Sequence, residues 1–191
     1  MATNLEHVAG TSFTAFEAQM QDKPLVIIYP RHRSRGALVA LFLKVYPDNL
    51  IYYRLGDRET HLTAWLEELT RSETMPHGFG DHLRAALKAK AEPEELAAAL
   101  GADLAAVRPD RYMLLLDNLD HLWADEPMVS FFRTLPDCLP RHVQVVINAR
   151  LLDLEPWNWL VLSGRAAVVG SEKALDGGIY GEDPKRGQLE V

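Results

Sequence analysis

The sequence predicts an α/β protein, a three-layer α/β/α sandwich in which a five-stranded parallel sheet lies between two layers of helices. Two observations support this fold class. Five short, mostly apolar runs recur along the 191-residue chain, and helical patterns separate them. The runs are apolar at nearly every position, which is typical of strands buried on both faces, as in a parallel sheet. Right-handed crossovers then place helices on both faces of that sheet.

The predicted elements follow from short apolar runs, from apolar residues at helical spacing, and from prolines that interrupt helices. The strands are LVIIY (25–29), NLIYYRL (49–55), YMLLLD (112–117), HVQVVINAR (142–150) and AAVVG (166–170). The helices between them are expected over 11–21, 37–46, 61–69, 126–135 and 154–162. The fourth of these helices should end before Pro136, because an interior proline removes a helical hydrogen bond.

The stretch between the second and third strands has a different composition. Residues 72–109 are rich in alanine and contain two helical patterns, 81–91 and 94–107. Pro93 stands where the first turn of a helix tolerates proline. We interpret 72–109 as a helical insertion between the second and third strands.

The insertion is expected to belong to a single domain of residues 1–170. Beyond Gly170 the apolar density falls, and glycine and charged residues become frequent. We expect residues 171–191 to form a linker or tail that packs weakly and leads to a further domain.

Composition and charge exclude several classes of function. The chain contains 20 Lys and Arg residues and 27 Asp and Glu residues, which gives it a formal net charge of −7. An acidic domain is a poor general ligand for nucleic acid or for anionic membranes. Cys138 is the single cysteine, so a disulfide within the chain and a cysteine-based metal site are excluded. A free thiol, no apolar run of membrane-spanning length and no signal-like N-terminus favour a cytoplasmic location.

Polar groups that can carry function follow three of the strands, where ligands bind in open α/β sheets. The first is the basic loop 31–36, which contains Arg31, Arg33 and Arg35 and ends at Gly36. One interpretation is a solvated loop. The other is an arginine-lined anion site at a helix N-terminus, whose dipole also favours anions. On the second interpretation, the three arginines form the most positive patch of the domain.

The other two strand ends carry an acid and an arginine. Asp117 can orient the water shell of Mg²⁺, as in nucleotide hydrolases, or it can simply cap a helix or fill a loop. Asn118 follows it and cannot act as a general base. Arg150 can sense a γ-phosphate, or it can form a structural ion pair with Asp117 or Asp153. The histidine spacings predict no metal site.

This order of features resembles the AAA-related ATPase domain of STAND-type P-loop proteins, especially maltose-regulator-like and other large bacterial transcription regulators. The resemblance covers about residues 24–170 but is specific only over 112–150. YMLLLDNLDHLWADEP (112–127) is similar to the Walker B strand of that family, and LPRHVQVVINAR (139–150) is similar to its sensor strand. In that family the sensor strand lies between the P-loop and Walker B strands. The resemblance therefore places the strand at 142–149 between those at 25–29 and 112–116.

The resemblance also assigns roles to individual residues. It implies that Asp117 is the Mg²⁺-associated aspartate, that Arg150 is the sensor arginine and that Gly36 is the last P-loop glycine.

Three groups that the family uses are replaced here. Ala37 stands in place of the lysine, Leu38 in place of Ser/Thr, and Asn118 in place of the second acid. The resemblance therefore implies a degenerate, non-hydrolysing domain. We expect no enzymatic turnover and no cofactor, and at most weak binding of ATP or phosphate.

The tail adds a second, very short resemblance. GQLEV (187–191) is similar to the start of the winged-helix region in SARP/BTAD bacterial transcriptional activators. We interpret the chain as the N-terminal regulatory part of a longer bacterial transcription regulator, active in signal transduction. Its expected partners are other domains of that regulator and, as a further option, a second copy of itself, but not nucleic acid or membrane.

Two other functions stay open. One is an active nucleotide hydrolase that uses Arg33 or Arg35 in place of lysine, since arginine also holds phosphate. The other is a protein–protein interaction module that binds no ligand.

Overall fold

A computed structural model describes residues 13–20, 23–29, 34–150, 152 and 155–170. Its strands are β1 (Leu25–Ile28), β2 (Leu50–Arg54), β3 (Tyr112–Asp117), β4 (Val143–Asn148) and β5 (Ala166–Val169). Its α-helices are α1 (Phe13–Met20), α2 (Arg35–Val45), α3 (Leu62–Arg71), α4 (Asp81–Lys88), α5 (Pro93–Val107), α6 (Glu126–Cys138) and α7 (Trp157–Leu162). A 3₁₀ helix covers Leu119–His121. Among the described residues, no helix combines the length and the apolar character that a bilayer crossing requires.

The five strands form one parallel sheet in the order β2-β3-β4-β1-β5. The sensor-like strand β4 lies between β1 and β3, as the resemblance predicted. In this register Asp117 lies opposite Asn148, and Arg54 lies opposite Asp117 on the other side. The predicted α/β class and the all-parallel sheet are therefore confirmed.

Side chains alternate between the two faces of the sheet, which produces two core clusters. On β1, Leu25 and Ile27 join the larger cluster, whereas Val26 and Ile28 join the smaller one. Helices α3 to α7 contribute buried residues to the larger cluster, and α1 and α2 contribute them to the smaller one. The sheet is thus covered on both faces, and the described part of the chain has three layers.

The segment between β2 and β3 carries α3 and the two predicted alanine-rich helices, α4 and α5. Pro93 opens α5, and the backbone N–H of Glu92 donates to Glu95 Oε2 at 3.1 Å as half of a reciprocal capping box. At Gly101 a Cβ atom would stand 2.3 Å from the carbonyl oxygen of Cys138, so α5 and α6 touch backbone to backbone. The insertion is therefore packed tightly against the rest of the domain.

Helix α6 differs from its prediction, because it continues through Pro136 to Cys138. A proline in the last turn removes one hydrogen bond, a cost that tertiary packing can offset. Pro136 is buried, and the turn that follows it lies against Gly101 of α5. That close contact stabilises the extra turn, which sequence spacing alone did not reveal.

Helix α2 also differs, because it begins at Arg35 rather than at residue 37. Ser34 precedes it, and the backbone N–H groups of Ala37 and Leu38 both donate to the Ser34 carbonyl, at 2.9 and 3.1 Å. Arg35 and Gly36, which we predicted in a basic loop, therefore form the first turn of the helix. The predicted tail 171–191 lies outside the described residues.

Candidate functional site

The candidate residues that the structure describes lie near one edge of the sheet, where the parallel strands end. Asp117 is the last residue of β3, and Asn118 follows it. Arg35 and Gly36 open α2, the helix after β1, and Arg150 lies two residues beyond β4. Parallel strands β1, β3 and β4 are neighbours, so their carboxyl ends bring these residues together.

Two further candidates, Arg31 and Arg33, lie outside the described residues. The predicted arginine patch is represented in the described structure by Arg35 alone.

The Asp117 carboxylate is held by two uncharged side chains. The Tyr52 hydroxyl donates to Oδ2 at 2.5 Å, and Asn148 Nδ2 donates to Oδ1 at 2.7 Å. Burial, followed by the hydrogen bond to Asp117 and the negative charge of that carboxylate, raises the pKa of Tyr52 to about 12. Both carboxylate oxygens therefore have a protein partner.

Asn148 leaves one acceptor open at this edge. Its Nδ2 group is committed to Asp117, and its Oδ1 atom is buried without a hydrogen-bond partner among the described residues. A buried carbonyl oxygen without a donor costs free energy unless a water or a ligand supplies one. The Asn148 Oδ1 atom can therefore accept a hydrogen bond from a water or a ligand at this edge.

Arg35 is oriented by the backbone that follows β4. One of its guanidinium nitrogens donates to the carbonyl oxygen of Ala149. Burial lowers the pKa of Arg35; the negative charges of Asp120 and Asp117 oppose that shift, and the positive charge of Arg150 adds to it. The guanidinium is thus already engaged with the protein and sits within a mixed set of charges.

Arg150 and Asp120 complete this set. The Arg150 backbone N–H donates to Asp120 Oδ1 at 2.6 Å, whereas the Arg150 residue is exposed. With Arg35 and Asp117, the cluster contains two arginines and two aspartates. An anion approaching these four residues meets no net positive charge.

Asn118 has a structural role that its sequence position did not suggest. Its φ angle is 66°, in the left-handed region that Asn tolerates better than most residues. Its side-chain Nδ2 donates to the carbonyl of Leu55 and to Asp57 Oδ1, both at 3.1 Å. Asn118 therefore turns the chain from β3 into the 3₁₀ helix and ties that turn to the end of β2.

At the start of α2, Gly36 faces open space and Leu38 faces the core. A Cβ atom on Gly36 would meet nothing within 4 Å. Leu38, at the position where the resemblance expects Ser/Thr, is fully buried in the smaller core cluster. A side chain there faces the core rather than a ligand.

A groove of about 470 Å³ opens beside this edge. Asp120 and Glu59 supply acidic groups, and much of the remaining lining is apolar or aromatic, including Trp123, Met128 and Trp157. Within the described residues, no three His, Cys, Asp or Glu side chains gather in a way that could hold a metal ion. The groove offers apolar contact area rather than a metal centre.

Sequence reasoning missed Tyr52 and Asn148. A signal for Asn148 was present, because YMLLLD and VQVVIN are six-residue strands that both end in a polar residue. In-register parallel pairing of two such neighbours brings their last residues side by side. Tyr52 required the register itself, in which it pairs with Leu115, two residues before Asp117 and on the same face.

The chain was compared with known proteins. No protein-family model matches it, and no curated protein does. Among solved structures, a chain of Drosophila ORC bound to DNA shares 12% identity over 86% of this chain and 89% of that one, with a TM-score of 0.49. A chain of Drosophila ORC bound to GC-rich DNA and Cdc6 shares 12% identity over 86% of this chain and 54% of that one, with a TM-score of 0.49. A chain of Drosophila ORC bound to AT-rich DNA and Cdc6 shares 10% identity over 86% of this chain and 55% of that one, with a TM-score of 0.47.

Proposed function

We propose that this chain is a degenerate P-loop-type regulatory domain that does not hydrolyse nucleotides. One observation carries the proposal: the acid at the end of β3 and the arginine that opens α2 are already satisfied within the protein. Asp117 accepts from Tyr52 and Asn148, and Arg35 donates to Ala149. A ligand at this edge has to displace or share these contacts.

The chemistry of phosphoryl transfer supports the absence of turnover. That reaction depends on a loop lysine, a Mg²⁺ ion held by Ser/Thr and an acid, and a residue that orients water. Ala37 and Leu38 lack the first two groups, and Leu38 is fully buried. Asn118 is committed to Leu55 and Asp57. Each lost interaction typically costs about 3 kcal/mol of transition-state stabilisation, which is about a hundredfold in rate.

Weak anion binding is a separate part of the proposal. Arg35 contributes little to it, because its guanidinium already donates to Ala149 and lies near Asp117 and Asp120. Arg31 and Arg33 are therefore the residues proposed to attract phosphate or sulfate.

The test of hydrolysis is phosphate release by the purified chain, with and without Mg²⁺. The Asp117→Ala variant removes the candidate acid, and Asp110→Ala removes an exposed acid outside the site as a matched control. We expect background release from all three proteins. Turnover that requires Mg²⁺ and is lost only in Asp117→Ala would overturn the proposal and favour a hydrolase that uses Arg33 or Arg35.

The test of binding is thermal unfolding in increasing ATP or sulfate. A ligand present at 100 times its Kd stabilises a protein by about 2.7 kcal/mol. We expect a small, Mg²⁺-independent stabilisation that Arg31→Ala combined with Arg33→Ala abolishes, while the control Arg71→Ala retains it. If neither ligand stabilises the native chain, the anion site is refuted and a ligand-free interaction module is favoured.

The regulatory setting is proposed on the resemblance of residues 112–150, together with the strand order that the resemblance implied. In that setting the domain works in the bacterial cytoplasm and contacts other domains of its own regulator. RNA sequencing of cells that carry a destabilising core variant tests this. A defined set of transcripts should change in those cells and remain unchanged with a neutral surface variant, and an unchanged transcriptome would contradict the proposed role.

A further inference from the structure

Two arginines lie over one indole ring on the outer surface of α6 and α7. The Cζ atom of Arg165 is 5.0 Å from the ring centroid of Trp159, and the Cζ atom of Arg133 is 5.5 Å from it. Guanidinium groups at these distances are attracted to the negative face of the ring. The arrangement fixes three large side chains at one place on the surface.

Carboxylates hold both arginines in position. Arg133 pairs with Glu155 and Arg165 pairs with Asp137, each at 2.7 Å. The Arg165 guanidinium also donates to the Arg133 carbonyl at 3.4 Å. Because these side chains are already ordered, a partner that binds them loses less conformational entropy than it would on a mobile surface.

Leu162 is the most exposed large hydrophobic residue among those that the structure describes. It is 64% exposed, compared with 49% for Trp123, 42% for Leu43 and 37% for Val45. Leu162 lies three residues after Trp159 on α7, a spacing that places two side chains on the same side of a helix. Arginine and tryptophan around an exposed apolar side chain is a composition typical of interface centres.

The charge of this surface differs from that of the whole chain. Lys23 Nζ donates to the Gly164 carbonyl at 2.7 Å, next to Arg165. Among the residues that the structure describes, the surface thus carries three cations, Lys23, Arg133 and Arg165, and the carboxylates of Glu155 and Asp137. Two copies of a chain with a net charge of −7 repel each other overall, and this repulsion is weakest where the local charge is near zero or positive.

We propose that this Trp159 surface, formed by Trp159, Leu162, Arg133 and Arg165 with their two carboxylate partners, docks a second copy of the same chain. A two-fold contact brings the same surface from both copies together, so the arginine–carboxylate pairs of one copy meet those of the other. Leu162 supplies the apolar contact, and the Trp159 ring holds the two arginines in place. The inference is independent of nucleotide binding and stands whether or not the strand-end site takes a ligand.

The experiment is sedimentation velocity of the full chain over about 1–300 µM, a range that brackets the affinity of small, weak interfaces. The apparent mass should rise with concentration from 21.5 kDa toward twice that value. Leu162→Asp should weaken association at least tenfold. Leu43→Asp is the matched control, because Leu43 is an exposed leucine on α2, on the other face of the sheet, and it should associate like the native chain.

Hydrogen exchange of the unaltered chain gives a second readout that does not depend on a variant folding. The amides of residues 157–165 should become more protected as concentration rises. A chain that stays monomeric throughout this range overturns the proposal, as does equal loss of association in both variants. Protection of residues 157–165 that does not change with concentration also overturns it, since the backbone hydrogen bonds of this segment then account for all of the protection.

Discussion

The helical insertion and the carboxyl edge of the sheet each present an aspartate, but the two carboxylates are held in different ways. Asp103 of α5 is 2% exposed and accepts from the backbone N–H groups of His82 and Leu83, at 3.0 and 2.8 Å, and from His82 Nδ1 at 2.9 Å. It therefore caps α4 from another helix. Asp117 is half-buried and accepts from two side chains, Tyr52 and Asn148. Backbone donors in a helix cannot turn away, whereas side-chain donors can be exchanged for a ligand.

The glycines of the two regions show the same contrast. Gly101 of α5 has the Cys138 backbone where its Cβ would be, whereas Gly36 at the sheet edge faces open space. The insertion is closely packed, and both carboxylate oxygens of Asp103 accept hydrogen bonds from α4. The edge is open, and Asn148 Oδ1 has no hydrogen-bond partner among the described residues. The difference indicates that the insertion serves stability, whereas the edge keeps open space and an acceptor that a ligand could use.

The largest expected effect is that of Gly101→Ala. The new Cβ would stand 2.3 Å from a backbone oxygen, so α5 and α6 must separate, and overpacking of this kind costs about 3 kcal/mol. The measurement is the free energy of unfolding in urea. The matched control is Gly56→Ala, where a Cβ meets nothing within 4 Å, and it should change stability by less than about 0.5 kcal/mol. Equal stabilities for the two variants would show that the helices adjust freely.

Asp103→Ala is expected to have the next largest effect. The substitution leaves two backbone N–H groups of α4 without their acceptor, and loss of a buried cap costs about 2 kcal/mol. Urea unfolding measures it, and hydrogen exchange should show the loss concentrated in residues 81–88. Asp110→Ala, which removes an exposed acid, serves as the control. A loss below about 0.5 kcal/mol would mean that water replaces the carboxylate there and that the insertion is looser than its contacts indicate.

The sequence was sufficient to predict the sheet, but it predicted the contacts between helices less well. Continuous apolar runs such as YMLLLD predicted the strands, and the resemblance of residues 112–150 placed β4 between β1 and β3. Local rules predicted the end of α6 wrongly, because the contact of its last turn with Gly101 comes from a distant part of the chain. A tertiary contact of this kind leaves no periodic pattern in the sequence.

The candidate site was predictable only in part, for a related reason. Asp117 and Arg150 stand at strand ends that can be read from the sequence, and their roles stay predictions. Tyr52, in contrast, reaches Asp117 only because of the register of β2 on β3, which sequence spacing does not determine. Asp103 was missed because its partners lie 20 and 21 residues earlier in the chain.

Tyr52→Phe tests whether the side-chain hydrogen bonds to Asp117 stabilise the protein less than the backbone hydrogen bonds to Asp103 do. It removes one side-chain hydrogen bond to Asp117, a loss of about 1 kcal/mol in unfolding free energy at neutral pH. The pKa of Tyr52 is raised to about 12, above the value near 10 of an unfolded tyrosine. The bond therefore contributes fully below about pH 10, and its contribution declines as the pH rises toward about 12.

The measurement is the urea midpoint of the native chain and of Tyr52→Phe at about pH 8 and about pH 11, which lie either side of the ordinary pKa of tyrosine. The native chain should lose part of its advantage over the variant at the higher pH. Tyr29→Phe is the control, since Tyr29 follows β1 and, like Tyr52, is half-buried. A variant as stable as the native chain at both values would show that Asp117 gains nothing from Tyr52.

The smallest expected effect, and the one with opposite sign, is that of Gly36→Ala. Gly36 lies in the first turn of α2, and a Cβ there meets nothing within 4 Å. Alanine restricts the unfolded chain more than glycine does, so the variant should be more stable by about 0.5 kcal/mol in urea unfolding. Gly80→Ala is the contrasting control, because Gly80 has a φ of +93° and its Cβ would stand 2.8 Å from the Arg84 guanidinium; this variant should be less stable than the native chain.

Gly36→Ala also tests how an anion binds near the start of α2. A phosphate cradle needs a bare backbone at its last glycine, but we propose Arg31 and Arg33 as the groups that attract the anion. Sulfate should therefore stabilise the native and Gly36→Ala proteins equally. Loss of that stabilisation in Gly36→Ala alone would show that the ligand approaches the backbone here, and the edge would then be a true phosphate site.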